Sequence, residues 1–273
     1  MSEYVDVGRH GAAWNWGPPD SALSRLRTCA ISATLGAAAL AIVLAVPWVA
    51  MNSAIAARPA LVSLDPDDTF GYITVHHAVM AVLAIGLMLL AGQPLLDRGL
   101  APGSRRTAVR ALAVFVPVVA VLAFAFDALP FIVAGTAPAL PYAVTPVNVI
   151  GTLAFQWLFV GVGEEMLFRG LLLGMLARAV DRQIRAGRLE VSAAVVLSAV
   201  LFALAHGVVY QGAFMLPFRF DPNWSQVAWA FVLGIFCGSL RQRTGSLLGP
   251  IIGHNVANGL VLSMTYLAVA VAR

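Results

Sequence analysis

Apolar residues run with little interruption over seven stretches, at about 29–51, 73–92, 108–134, 147–178, 191–209, 225–241 and 246–271. A helix needs about 20 apolar residues to cross the hydrocarbon core of a bilayer. Only helices and closed barrels satisfy their backbone hydrogen bonds there. The pattern therefore predicts an all-α fold, a polytopic transmembrane helical bundle of seven to eight spans. The 147–178 run exceeds one span, and Gly161-Val162-Gly163 is where a break or kink is expected. A short apolar piece around 212–218 is expected to be re-entrant. Residues 1–27 are polar, with Trp14, Trp16 and Pro18-Pro19, and read as a tail. The first run is longer than the roughly 7–15 residues of a signal-peptide core, so it reads as a span. Ala54-Ile55-Ala56 after it mimics a cleavage site.

The polar connections alternate in charge. Arg98, Arg105, Arg106 and Arg110 follow the second run, Arg178, Arg182, Arg185 and Arg188 the fourth, and Arg241 and Arg243 the sixth. The intervening loops hold Asp65, Asp67 and Asp68, then no charge at 135–146, then Arg219 with Asp221. By the positive-inside rule the tail and the Arg-rich loops are cytoplasmic and the C-terminus is external. Asp127 and Pro130 then fall near the outer end of the third span. Composition agrees: 60% of residues are hydrophobic and 11% charged, against roughly 25% charged in soluble domains. The net charge of +4 is modest, and its 17 basic residues, all Arg, sit mainly between apolar runs. That placement sets orientation in a lipid bilayer and excludes a nucleic-acid partner. Cys29 and Cys237 lie in apolar runs without metal-ligand spacing, so no disulfide framework is expected. The expected organisation is a cytoplasmic tail at 1–27, N-terminal spans at 28–140 and a functional core at 141–273 in the cell membrane.

Three spans carry residues that are costly in lipid, by about 2.5–3.5 kcal/mol each on insertion scales. In the fourth, Glu164 and Glu165 are followed by Arg169. Glu165 and Arg169 share a helix face and can pair, while Glu164 projects about 100° away and is free for another partner. Desolvation of an unpaired carboxyl suits a general base. In the fifth, Phe202 and His206 share a face. In the seventh, His254 and Asn258 do, offering an imidazole and an amide to one spot. At about 1.5 Å per residue, these groups lie roughly 12–22 Å from the Arg-rich ends of their helices. One polar chamber accommodates all of them. His76-His77, opening the second span, reads as interfacial.

The ordered set Glu164-Glu165-x-x-x-Arg169, Phe202-x-x-x-His206 and His254-x-x-x-Asn258 resembles the motifs of the CPBP (ABI) family, the CAAX protease and bacteriocin-processing enzymes. The stretch Thr244 to Asn258 and the preceding Gly234-Ile235-Phe236-Cys237-Gly238 also resemble that family, and the likeness covers about 147–265. The resemblance implies intramembrane proteolysis of membrane-associated peptides or proteins. It implies Glu164 as the base that activates a water, helped by His206, with His254 and Asn258 stabilising the oxyanion and Glu165 and Arg169 holding the local geometry. Family members are often called metalloproteases. Glu165, His206 and His254 would make a two-His, one-carboxylate site for a divalent metal such as zinc, and a metal-free glutamate mechanism would use the same residues. The all-Arg, Ala-rich composition looks bacterial, so peptide maturation, bacteriocin immunity and membrane-protein processing stand beside prenylated substrates. The rival reading is a non-catalytic transporter or scaffold using the polar cluster for proton relay or partner binding. Transporters often carry paired repeats with broken helices, and no internal repeat is visible in the sequence.

Overall fold

The computed structural model describes residues 22–92, 95–180, 182–186, 189–210 and 218–273. The expected tail, up to residue 21, and the expected re-entrant piece, up to residue 217, lie outside the described residues.

Seven helices are described, one for each apolar run. They are α1 (Ala22–Leu61), α2 (Gly71–Leu90), α3 (residues 105–134), α4 (Pro146–Ala179), α5 (Ala193–Ala205), α6 (Trp224–Thr244) and α7 (Leu248–Val271). Two short antiparallel hairpins join helices: β1 (Gln183–Ala186) with β2 (Leu189–Ser192), and β3 (Val208–Tyr210) with β4 (Phe218–Phe220). The fold is an all-α membrane bundle. Five helical stretches are long and apolar enough to cross a membrane, those of α1, α2, α3, α4 and α7.

Local signals set the helix ends. Side chains of Ser104, Thr145, Ser192 and Asn223 accept the first free N–H groups of α3, α4, α5 and α6. Gly245, with φ of 73°, ends α6 in the left-handed conformation that glycine adopts most easily. Helix α1 outruns its apolar stretch by ten residues, through the Ala54-Ile55-Ala56 segment, and Arg58 near its end pairs with Asp68 at 2.9 Å. Helix α5 is shorter than its apolar run. It stops at Ala205, so His206 sits at the helix end rather than in mid-span.

Helix α4 does not break at Gly161-Val162-Gly163. It is continuous, with widened π-type turns at Phe155–Phe159 and Met166–Leu172 on either side of the Glu pair. The glycines serve contact instead. A Cβ on Gly163 would come within 2.6 Å of the His77 carbonyl oxygen, so its absence lets α4 lie directly on α2. On the other side, Asn255 of α7 accepts the Gly161 N–H at 2.7 Å. Helix α4 is thus clamped between α2 and α7. A large apolar cluster from α1, α2, α4, α5 and α6 packs on one side of it, and a smaller one of Val119, Leu233, Cys237 and Ala257 packs beyond.

The two ends of the bundle separate by charge. The Arg98 turn is tied to the α6–α7 connection by Leu247 N–H to Gly99 O at 2.8 Å and Ser104 N–H to Thr244 O at 3.0 Å. At the other end Asn148 donates to Asp67 at 2.7 Å and to Ala143 O at 2.8 Å. There Asp65 gathers the N–H groups of Thr69, Phe70 and Gly71, at 2.9, 2.8 and 2.6 Å. Burial raises the pKa of Asp65, but these donated hydrogen bonds outweigh it and hold the carboxyl below its ordinary value.

Candidate active site

The two adjacent carboxylates of α4 meet different surroundings, because neighbouring helical side chains diverge. Glu165 is fully buried, and its Oε1 lies 3.0 Å from Arg169 Nη1, so the ion pair expected from the sequence is present. The Arg169 guanidinium stands over the Phe202 ring, 4.2 Å from its centroid, and Phe168 meets Phe202 edge-on at 4.9 Å. Aromatic faces attract a cation and exclude water from it. The pair is therefore sealed. Glu164 keeps 15% of its side chain exposed against 0% for Glu165, and among the described residues no arginine pairs with it.

Two imidazoles flank Glu164 instead. His254, nearly fully buried on α7, puts Nδ1 2.7 Å from Glu165 Oε1 and Nε2 3.4 Å from Glu164 Oε2. One ring thus spans both carboxylates. A carboxylate only accepts hydrogen bonds, so the 2.7 Å contact needs a proton on Nδ1 or on the Glu165 carboxyl, while the 3.4 Å one is a close approach only. His77 of α2 puts Nε2 3.3 Å from Glu164 Oε1, and its Nδ1 lies 2.8 Å from the Ile73 carbonyl oxygen. A carbonyl cannot donate, so Nδ1 carries a proton. Nε2 is then the nitrogen that faces Glu164, and it donates there when it is protonated.

His206 donates from Nδ1 to Phe202 O at 2.8 Å, and its Nε2 makes no hydrogen bond to a described residue. Its ring meets Phe202 edge-on at 4.6 Å, and Phe202 meets His254 at 5.8 Å, so one phenyl ring spaces the two imidazoles. Asn258 is partly buried one turn beyond His254 and makes no hydrogen bond to a described residue. Its neighbour Asn255 is the amide that ties α7 to α4. The structure thus joins Glu164, Glu165, Arg169 and His254 in direct contact, adds His206 through Phe202, and leaves the Asn258 amide unengaged.

Two members of the cluster were not foreseen. His77 reads as interfacial in the sequence, yet it and His76 are buried, with 6% and 7% exposure. It lies six residues into a helix that starts at Gly71, nearly two turns deep, and that depth was the available signal. Cys237 of α6 reads in the sequence only as a thiol in an apolar run, within the Gly234–Gly238 stretch, with no sign that it reaches the Glu pair. It is fully buried, and its sulfur stands within 4.8 Å of ligand atoms of Glu165 and His254.

Among the described residues, the trio that could hold a metal is Glu165, Cys237 and His254, without His206. This donor set fits zinc poorly. Both nitrogens of His254 already face carboxylates, and a guanidinium sits on Glu165 where a metal cation would need its lone pairs. The arrangement is instead a sealed Glu165–Arg169 pair beside a second carboxylate, Glu164, that keeps 15% of its side chain exposed between two imidazoles.

No curated protein and no solved structure matches the chain. Residues 146–260, which hold every member of the cluster except His77, match the family model described as type II CAAX prenyl endopeptidase Rce1-like. That region is similar to the CAAX protease and bacteriocin-processing family, and in a multi-pass membrane bundle the likeness supports a protease of the CAAX type.

Proposed function

We propose that the chain is an intramembrane endopeptidase in which Glu164 activates water without a metal. The observation that carries this reading is the asymmetry of the Glu pair: Glu165 is sealed against Arg169, while Glu164 stays accessible between His77 and His254. A water beside Glu164 gives its proton to the carboxylate as its oxygen attacks the scissile carbonyl. The developing oxyanion takes hydrogen bonds from His206 Nε2, when protonated, and from the Asn258 amide, neither of which is engaged with a described residue through those atoms. His254 bridges the carboxylates and stabilises the charge that Glu164 gives up and regains. The proton on Glu164 then passes to the leaving amine, so that one water and one peptide bond become a carboxylic acid and an amine. Glu165 and Arg169 fix the height and rotation of α4 around the base.

The reading places the protease core at 141–273, the N-terminus and Arg-rich loops in the cytoplasm and the protein in the cell membrane. Substrates are peptides entering from the bilayer. The family description points to prenylated C-terminal CAAX segments, and other membrane-anchored peptides offer the same bond at the same depth.

The test is cleavage of a membrane-anchored reporter peptide library, prenylated and unprenylated, by the purified chain in vesicles. Cleavage by the wild type and its loss in Glu164→Gln is the expected result. Wild-type-rate cleavage by Glu164→Gln refutes the assignment, and no cleavage of any reporter favours a scaffold or transporter role.

A further inference from the structure

We propose that Arg98 and Arg241 form a phosphate-binding site at the Arg-rich end of the bundle, occupied by the headgroup phosphate of an anionic phospholipid. Arg98 lies in the wide turn Leu96–Leu100 ahead of α3, and Arg241 in the last turn of α6. Exposure is 2% for Arg98 and 7% for Arg241. Each donates one hydrogen bond to a carbonyl, Arg98 Nη1 to Leu171 O at 3.3 Å and Arg241 Nη2 to Asp97 O at 2.9 Å. Among the described residues Arg98 Nε and Nη2 and Arg241 Nε are buried without an acceptor. Among the described residues no carboxylate pairs with either guanidinium.

The backbone is shaped to admit these cations. Gly99, at φ of 103°, has no side chain where Arg241 Nε lies, and a Cβ there would collide with it. Gly174 of α4 is likewise open where Arg98 Nη1 lies. One turn beyond, at the exposed end of α4, Arg178 adds a third guanidinium that acts on Arg98, as Arg98 acts on Arg241. Three mutually repelling cations, two of them buried, are costly without an anion. Phosphate supplies several acceptor oxygens in the geometry that a guanidinium fork matches. The ends of α4 and α6 are where this bundle leaves the hydrocarbon, and the cytoplasmic leaflet at that level carries anionic phospholipid. A lipid phosphate thus reaches the site without leaving the membrane. The inference does not depend on the protease reading.

The experiment uses the purified full chain. Thermal melting is followed in phosphatidylcholine vesicles, in phosphatidylcholine–phosphatidylglycerol vesicles, and in phosphatidylcholine with inorganic phosphate or with chloride at equal ionic strength. The anionic vesicles should raise the wild-type melting temperature by about 5 °C, with chloride inert. Arg98→Gln and Arg241→Gln should lose that shift, while Arg185→Gln on the exposed β1–β2 hairpin keeps it. Inorganic phosphate giving the full shift while phosphatidylglycerol gives none would keep the phosphate site and overturn the lipid as its source. No response of the wild type to either phosphate source overturns the site, and this arm stands even if both variants fold poorly. Full shifts in both variants overturn it as well.

Discussion

Two regions of this bundle bury arginine, and they are built in opposite ways. At the centre, Arg169 meets Glu165 at 3.0 Å, and His254 ties that pair to Glu164. At the Arg-rich end, Arg98 and Arg241 are buried too, and the described residues offer them carbonyl oxygens but no carboxylate. Both regions face the same desolvation cost. The centre meets it with the chain's own opposite charges and comes out with one carboxylate in excess of its arginine. The end meets it only in part and comes out with an excess of cations. An unmatched charge held in place by packing is available to something outside the chain, a reacting proton at the centre or an anion at the end.

The largest effect should come from breaking the balanced centre. Arg169→Ala leaves Glu165 buried without its cation, which costs on the order of 3–5 kcal/mol. Folding yield and melting temperature should both fall sharply, and activity with them. The end should respond more mildly, because Arg98→Gln removes a charge that has no partner within the described chain. If melting of the two variants falls equally, the contrast between the regions is wrong.

Glu164→Gln sharpens the comparison from the other side. It removes the excess carboxylate without changing shape. Loss of a positioned base costs about 10²–10⁴-fold in rate, while stability should hold or rise because a buried charge disappears. Turnover of a membrane-anchored reporter and melting temperature, measured on one preparation, check both halves. A large loss of stability with activity intact would make Glu164 architectural.

Much of this was legible in the sequence, for physical reasons. Each apolar run marked one of the seven described helices, and five of these have the length and hydropathy that a bilayer imposes together. The Glu165–Arg169 contact followed from helical spacing alone. Phe202 and His206 likewise share a face, with rings 4.6 Å apart. Contacts between helices were not legible. His77 reaches Glu164 because Gly163 allows α2 to touch α4, and Cys237 reaches Glu165 because α6 packs beside α4. Neither depends on spacing within one helix. The glycines at 161 and 163 read as a breaker because glycine lowers helix propensity, yet packing outweighed propensity. The same blindness hid Arg98 and Arg241, which lie in different connections and read only as topology signals.

His77→Gln should have a smaller effect than Glu164→Gln. Its amide can still donate to Glu164 but holds no exchangeable proton in common with it. Misplacing a base can cost up to about 10²-fold, so a loss within that range is expected, with a changed pH profile of kcat/KM rather than a changed KM alone. An unchanged profile would make His77 a packing residue. Cys237→Ala removes one donor of the only metal-capable trio among the described residues. Activity should survive it within a few-fold and survive chelation, with no stoichiometric zinc in the purified protein. Zinc near one equivalent, lost with activity on chelation, would reverse the metal-free assignment.

The smallest expected effect tests whether the missing counter-charge or the missing hydrogen bonds mark the Arg-rich end as a binding site. Asp65, at the opposite end, is buried to 3% exposure and has no cation paired with it among the described residues. It accepts from three backbone N–H groups and from the Thr69 hydroxyl, so its charge is satisfied by dipoles at the start of α2. Its folded pKa is depressed below the unfolded value of about 3.9. The stabilisation is therefore fully present above that value and is lost as pH falls through the lower, folded one. Asp65→Asn keeps one acceptor oxygen and should cost about 1 kcal/mol, the scale of a helix cap. It should also flatten the fall of melting temperature on acidification below about pH 4. Bound anions should leave this variant unaffected. If Asp65→Asn melted no lower than wild type at neutral pH and lost stability identically in acid, dipoles would not be satisfying the carboxylate. An unpaired buried charge could then be tolerated here without help, and the argument for an anion beside Arg98 and Arg241 would lose its footing.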